Sequence, residues 1–233
     1  MRLRGLALTT AAFAFLLAPA VSQAQMIHRY SFNGDTSDSI GGEDGILVGG
    51  ATVTSSQLVL NGVDAACRLP IGDTLSVVTN CTIEGWATWG SNTGQFWSRI
   101  FDFGNDTLEN MFLTPQNGAN GKVRFAITIG GAGGEEQTTS NVLFPVNIET
   151  HFAVTIDADN GIDTLYINGM PVVILFDTTL NPSMMTAPTT SNYLGKSQYP
   201  DPFFLGSINE FRIYANALAP GDVLASFQAG PDA

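Results

Sequence analysis

Two histidines, two cysteines and three tryptophans carry most of the chemistry available to this 233-residue chain. His28 stands in "MIHRYSF" and His151 opens "HFAVTID"; neither belongs to a His-Glu-x-x-His frame, and no Gly-x-Ser-x-Gly elbow occurs. Zinc hydrolysis and a serine nucleophile are therefore not indicated. The aromatic residues offer a different chemistry. Trp89, Phe96 and Trp97 flank the loop "GSNTGQ", and Tyr199 lies in "QYPDP". A flat ring stacks on the apolar C–H face of a pyranose while nearby carboxylates, amides and arginine hydrogen-bond its hydroxyls. Arg99 and Asp102, three apart in "SRIFDFG", can pair within one hairpin. Trp97 and Tyr199 are thus the first candidate contacts, with Trp89, Arg99 and Asp102 beside them. Large aromatics in strands are usually core, so Trp86, Phe101, Phe103 and one of Trp89 or Trp97 are expected to be buried.

The elements that must position these residues are strands. Asn-Gly pairs begin at Asn33, Asn61, Asn117, Asn120, Asn160 and Asn168, and Asn-Gly favours type I′ hairpins because both central residues need positive φ. The region His151–Phe176 reads "HFAVTID", a turn, "DTLYI", Asn168-Gly169, then "PVVILF", a three-stranded antiparallel meander. Period-two alternation also marks "MIHRYSF", "QLVLNG", "CTIEGWATW", "SRIFDFG", "KVRFAITI" and "GSINEFRIY". In the last of these, strict alternation puts Ile208, Glu210, Arg212 and Tyr214 on one face and Asn209, Phe211 and Ile213 on the other. Only "PGDVLASFQAG" near the C-terminus reads as helix. Many short strands with one helix predict a single all-β domain, a two-sheet sandwich or jelly roll. The glycine-rich "GGAGGEE" is a loop without the Gly-Lys-Ser/Thr ending of a phosphate cradle.

The N-terminal "MRLRGLALTTAAFAFLLAPAVSQAQ" has Arg2 and Arg4, an apolar run and small residues before Ala24. It reads as a signal peptide over residues 1–24, leaving a mature domain of 25–233, secreted or periplasmic and without membrane insertion after cleavage. Removing Arg2 and Arg4 from the 9 basic residues leaves 7 against 21 acidic ones, so the formal charge moves from −12 to −14. Such a surface disfavours nucleic acid and anionic membranes. Export also permits a Cys67–Cys81 disulfide; the alternative is two buried thiols acting as small hydrophobes.

In order along the chain, "YSFNGDTSDSIGG", "CTIEGWATW", "WSRIFDFGNDTLENMFLTP", "ETHFAVTID" with "TLYINGMPV", and "YLGKSQYPDPFFLGSINEFRIYANAL" together resemble the LamG-like, concanavalin A-like jelly rolls of secreted bacterial proteins. The resemblance spans about residues 27 to 228. It implies an all-β jelly-roll sandwich of two antiparallel sheets closed by one short C-terminal helix. It also implies a structural calcium ion, held in related jelly rolls by an aspartate where Asn209 stands here together with loop oxygens near Asp35 and Asp38. Asn209 offers a carbonyl oxygen but no charge, so such a site should be weaker.

Jelly-roll glycosidases place paired carboxylates on one strand as Glu-x-Asp-x-x-Glu, and no glutamate of this chain has an aspartate two residues on. Glu84 is followed by Gly85, Trp86 and Ala87, and Glu210, with Arg212 on its face, reads as structural. The resemblance therefore implies a non-catalytic module recognising a polysaccharide or glycoconjugate. Two other readings are a structural or adhesion protein contacting surface proteins, and an atypical polysaccharide hydrolase or lyase.

Overall fold

The structure, a computed structural model, describes residues 25–233; the signal-peptide reading of residues 1–24 lies outside them. The strands run in chain order as β1 (Met26–Tyr30), β2 (Ile46–Val48), β3 (Thr52–Thr54), β4 (Gln57–Asn61), β5 (Ala66–Arg68), β6 (Cys81–Trp89), β7 (Phe101–Gly104) and β8 (Asn110–Thr114). They continue as β9 (Arg124–Thr128), β10 (Glu136–Thr139), β11 (Thr150–Asp157), β12 (Ile162–Ile167), β13 (Met170–Phe176), β14 (Tyr193–Leu194) and β15 (Leu205–Tyr214). A single turn, α1 (Gly72–Leu75), and the C-terminal α2 (Pro220–Ala229) are helical.

One sheet orders its strands β13-β12-β11-β6-β15-β4-β3, with β1 also on β15; the other runs β10-β9-β8-β7-β14-β5-β2, and the strand pairings are antiparallel. The ten-residue β15 organises the first sheet: β6 follows it from Gly206 to Tyr214, while β4 takes its first half and β1 its second. The anticipated meander is β11–β12–β13, and at its second turn Asn168 and Gly169 both have positive φ, 49° and 73°, as a type I′ turn requires.

Phenylalanines fill the space between the sheets. The Phe211 ring of β15 meets Phe101 and Phe103 of β7 edge-on at 6.0 and 5.9 Å, and Phe152 of β11 at 6.3 Å. Gly85 permits this approach, since a Cβ there would lie 2.5 Å from the Glu210 carbonyl oxygen and 2.9 Å from Phe152. The Asn209 region departs from the alternation expected of it. The register of β15 on β6 shifts between Ile208 and Glu210, so Ile208 enters the same core as Phe211 and Ile213. A bulge adds one residue and thereby reverses the facing of everything beyond it. Glu210, Arg212 and Tyr214 consequently share the outer face without Ile208.

Over that outer face lies α2, begun by Pro220 in its first turn and ended at Gly230, whose φ is 91°, the usual N-terminal proline and C-terminal glycine. Ala153, Tyr166, Tyr214, Leu218 and Val223 form a second apolar cluster there.

The expected disulfide is corrected. Cys67 belongs to β5 of one sheet and Cys81 opens β6 of the other, and both are free, buried thiols in the core. Burial pushes the Cys67 thiol up to about 12 and raises Cys81 as well, so both pack as small apolar groups.

Candidate functional site

The outer face of the seven-stranded sheet is built by alternation. Phe101, Phe103, Met111, Leu113, Phe125 and Ile127 point inward, which turns Asp102, Phe112 and Arg124 outward. Pairing sets Asp102 beside Phe112, Phe112 beside Ala126, and Ala126 beside Gln137 in one row, with Arg124 flanked by Thr114 and Thr139 in the next. Over these rows close the loop carrying Trp97, the glycine-rich loop with Ala132 and Glu135, and the segment with Tyr199 and Asp201. Together they enclose a cleft of about 310 Å³.

Arg99 is the hub of the cleft. Its Nε donates to Asp102 Oδ2 at 3.3 Å, its Nη2 to Asp201 Oδ2 at 3.1 Å and its Nη1 to the Trp97 carbonyl at 2.7 Å. Its guanidinium also lies 3.8 Å from the centroid of the Phe112 ring. Burial pushes the Asp102 carboxyl up to about 7, a rise that Arg99 and the Gln198 backbone N–H only partly offset and to which Asp201 adds. One oxygen, Asp102 Oδ1, is buried without a hydrogen-bond partner. Trp97 is half-buried with a left-handed backbone, φ 66°. Its N–H donates to the Gln116 carbonyl at 2.8 Å, and a Cβ at Gly118 would collide with its indole nitrogen. Tyr199 is held by a 2.8 Å bond from its hydroxyl to the Thr107 carbonyl, and burial, aided by the nearby Glu135, raises its phenol.

Of the residues singled out in the sequence, Trp97, Arg99 and Tyr199 line this cleft, and Asp102 lies beneath Arg99 as its carboxylate partner. Trp89 is not with them: it is 2 % exposed and packed in the core, which decides between the two tryptophans. Phe112, Arg124, Glu135, Gln137 and Asp201 complete the lining and escaped the sequence reading. An arginine in the middle of "KVRFAITI", on the outward side of the alternation, was the one local signal for Arg124.

The residues considered for calcium have other work. Asp38 accepts from the backbone N–H groups of Arg29, Ile40, Gly41 and Glu43 and pairs with His28 Nδ1 at 2.6 Å. Asp35 accepts from Ser37 N–H, while Asn209 Nδ2 donates to Glu149 and its Oδ1 is buried without a partner. Among the described residues no group of three or more His, Cys, Asp or Glu side chains is arranged to hold a metal. An ion would have to displace the bonds of Asp38, so this set does not fit a ready calcium site. Both histidines lie on the other sheet, His28 against Asp38 and His151 against Glu84.

Domain 4 of AbnA, a GH43 extracellular arabinanase from Geobacillus stearothermophilus, in complex with arabinotriose, is similar over 87% of this chain and 98% of its own, with 28% identity and a TM-score of 0.71. The CBM40 of the Ruminococcus gnavus IT-sialidase aligns over 65% of this chain and 84% of its own at 17% identity and TM-score 0.55. The binding domain of a botulinum neurotoxin of serotype D/C covers 88% of this chain and 52% of its own at 13% identity and TM-score 0.67. No curated protein sequence matches the chain. The family model described as the concanavalin A-like lectin/glucanases superfamily matches residues 61–224, and with its two antiparallel sheets the chain belongs to that superfamily.

Proposed function

We propose that this protein is an exported, non-catalytic carbohydrate-binding module whose ligand occupies the cleft between Trp97 and Tyr199. One observation carries the reading: the aromatic side chains of Trp97, Phe112 and Tyr199 and convergent Arg99, Arg124, Glu135, Gln137 and Asp201 line a single cleft on an outer sheet face. Apolar walls with a few placed polar groups are what a sugar needs. The arabinotriose held by the arabinanase domain supports a glycan as ligand. The absence of a Glu-x-Asp-x-x-Glu strand from the sequence supports binding without bond cleavage.

Retention of residues 25–233 on a panel of plant and microbial polysaccharides tests the proposal. Saturable binding to one glycan class, weakened about tenfold or more in Tyr199→Ala, with no new reducing ends released, is expected. Folded protein that is retained by none of them would sink it. A second reading, contact with surface proteins, draws on the edge strand β13, where Met170, Ile174 and Phe176 are 58%, 46% and 63% exposed. It predicts self-association on a sizing column.

A further inference from the structure

Arg124 is the cation of the cleft that makes no salt bridge among the described residues. Arg99 is matched by Asp102 and Asp201. Arg124 instead spends only its Nε, on Thr139 Oγ1 at 2.7 Å, and neither terminal nitrogen has a hydrogen-bond partner or a carboxylate within salt-bridge distance among the described residues. The residue is 8% exposed and lines the cleft, with its guanidinium 5.3 Å from the Trp97 ring centroid. Burial pulls its pKa down, Glu135 pulls it back up, and Arg99 adds repulsion. A buried charge is normally paired, and a guanidinium fork with two free nitrogens matches a carboxylate in bidentate geometry.

Resting on the carbohydrate-binding reading, we infer that the sugar unit seated in this cleft carries a carboxylate, as a uronic acid does, and that this carboxylate closes on Arg124. Hydroxyls alone could bond the fork but would leave its charge unmatched. The partner is a single acidic sugar rather than a dense polyanion. Glu135 and Asp201 stand in the same lining, and the chain as a whole carries a formal charge of −12, so a string of anions would be repelled. Tyr199 offers the ring face, while Asp201 and Gln137 remain for hydroxyls.

The test is calorimetric titration of residues 25–233, at about physiological ionic strength, with di- and trisaccharides ending in glucuronate, galacturonate or mannuronate, each beside its carboxyl-reduced counterpart. At least one acidic sugar should bind tenfold or more tighter than its reduced form. Arg124→Gln should erase that difference, Arg124→Lys should keep part of it, and Glu135→Gln should tighten the acidic ligand several-fold. Equal or tighter binding of the reduced sugars, or a preference that survives in Arg124→Gln, would overturn the inference while leaving the carbohydrate module intact. Failure of folded protein to bind any acidic, reduced or neutral glycan would remove both. Should Arg124→Gln not fold, Glu135→Gln decides, and an unchanged affinity for the acidic sugar counts against the proposal.

Discussion

Beneath α2, on the outer face of the eight-stranded sheet, Glu84 and Glu210 meet Arg212 and Arg29; across the molecule, Arg99 meets Asp102 and Asp201 in an open cleft that Arg124 and Glu135 also line. The side-chain types are nearly the same. Under the helix the arginines find internal partners, and only Glu210 Oε2 is buried without one. Glu84 accepts from Tyr214, Ser226, Arg212 and His151, whose other ring nitrogen lies 3.3 Å from Gly169 N–H, and Glu210 accepts from Arg29 and Arg212 at 2.6 Å. Arg212 reaches on to the Pro231 and Ala233 carbonyls. In the cleft the network stops short, leaving Arg124 and Asp102 Oδ1 unmatched. A polar network that closes on itself acts as architecture, whereas one that stays open to solvent is a place for a ligand.

Breaking the closed network should have the largest effect. Arg212→Leu strands two buried carboxylates, and urea unfolding should show a loss of about 3–5 kcal/mol. A loss below about 1 kcal/mol would mean that α2 is held by its apolar contacts alone.

Asp102 and Glu84, one on each face, should also respond to pH with opposite sign. Burial raises Asp102 from 3.8 to about 7, so between those values the native state holds the extra proton. Its contribution is fullest below the unfolded value and is lost as pH rises through about 7. Asp102→Asn should flatten this slope, recovering about 4 kcal/mol relative to wild type between pH 4 and pH 8. Glu84 behaves otherwise. Burial would raise it, but the bonds from His151, Ser226 and Tyr214 outweigh burial and hold it below its ordinary 4.5. Its contribution is present above that value and disappears as pH falls through the depressed one. Stability profiles of Asp102→Asn and Glu84→Gln with parallel pH slopes would contradict the contrast.

Asp38 belongs with the closed kind, its oxygens already engaged. Millimolar calcium added to chelator-stripped protein should therefore leave the Tm within about 1 °C; a rise of about 4 °C or more would show that the loop opens for an ion. The smallest effect concerns the thiols. No bond ties Cys67 to Cys81, so reductant should not move the Tm, and denatured, unreduced protein should label at both cysteines.

Much of the scaffold was legible from local pattern. "CTIEGWATW" is β6 from end to end, "PGDVLASFQAG" is α2, and the meander ends at Phe176 as read. Short partners such as the two-residue β14 and three-residue β2, β3 and β5 carry too few residues for a period to emerge. Nor does alternation foresee the bulge at Asn209, because a register shift is set by pairing with β6. Trp89 and Trp97 look alike in sequence; one closes a strand whose alternate residues face the core, and the other follows it in a loop.

The chain alone, through its strand periods, turn pairs and ordered family segments, determines an all-β sandwich with a terminal helix, and it supplies Trp97, Arg99 and Tyr199. Tertiary structure decides which charged face is covered and which stays open. The cleft draws on residues from 97 to 201, and the covering of Glu84 depends on where α2, more than 130 residues later, comes to rest. Both are long-range outcomes of packing, and a period of two along one strand contains no information about what will lie over it.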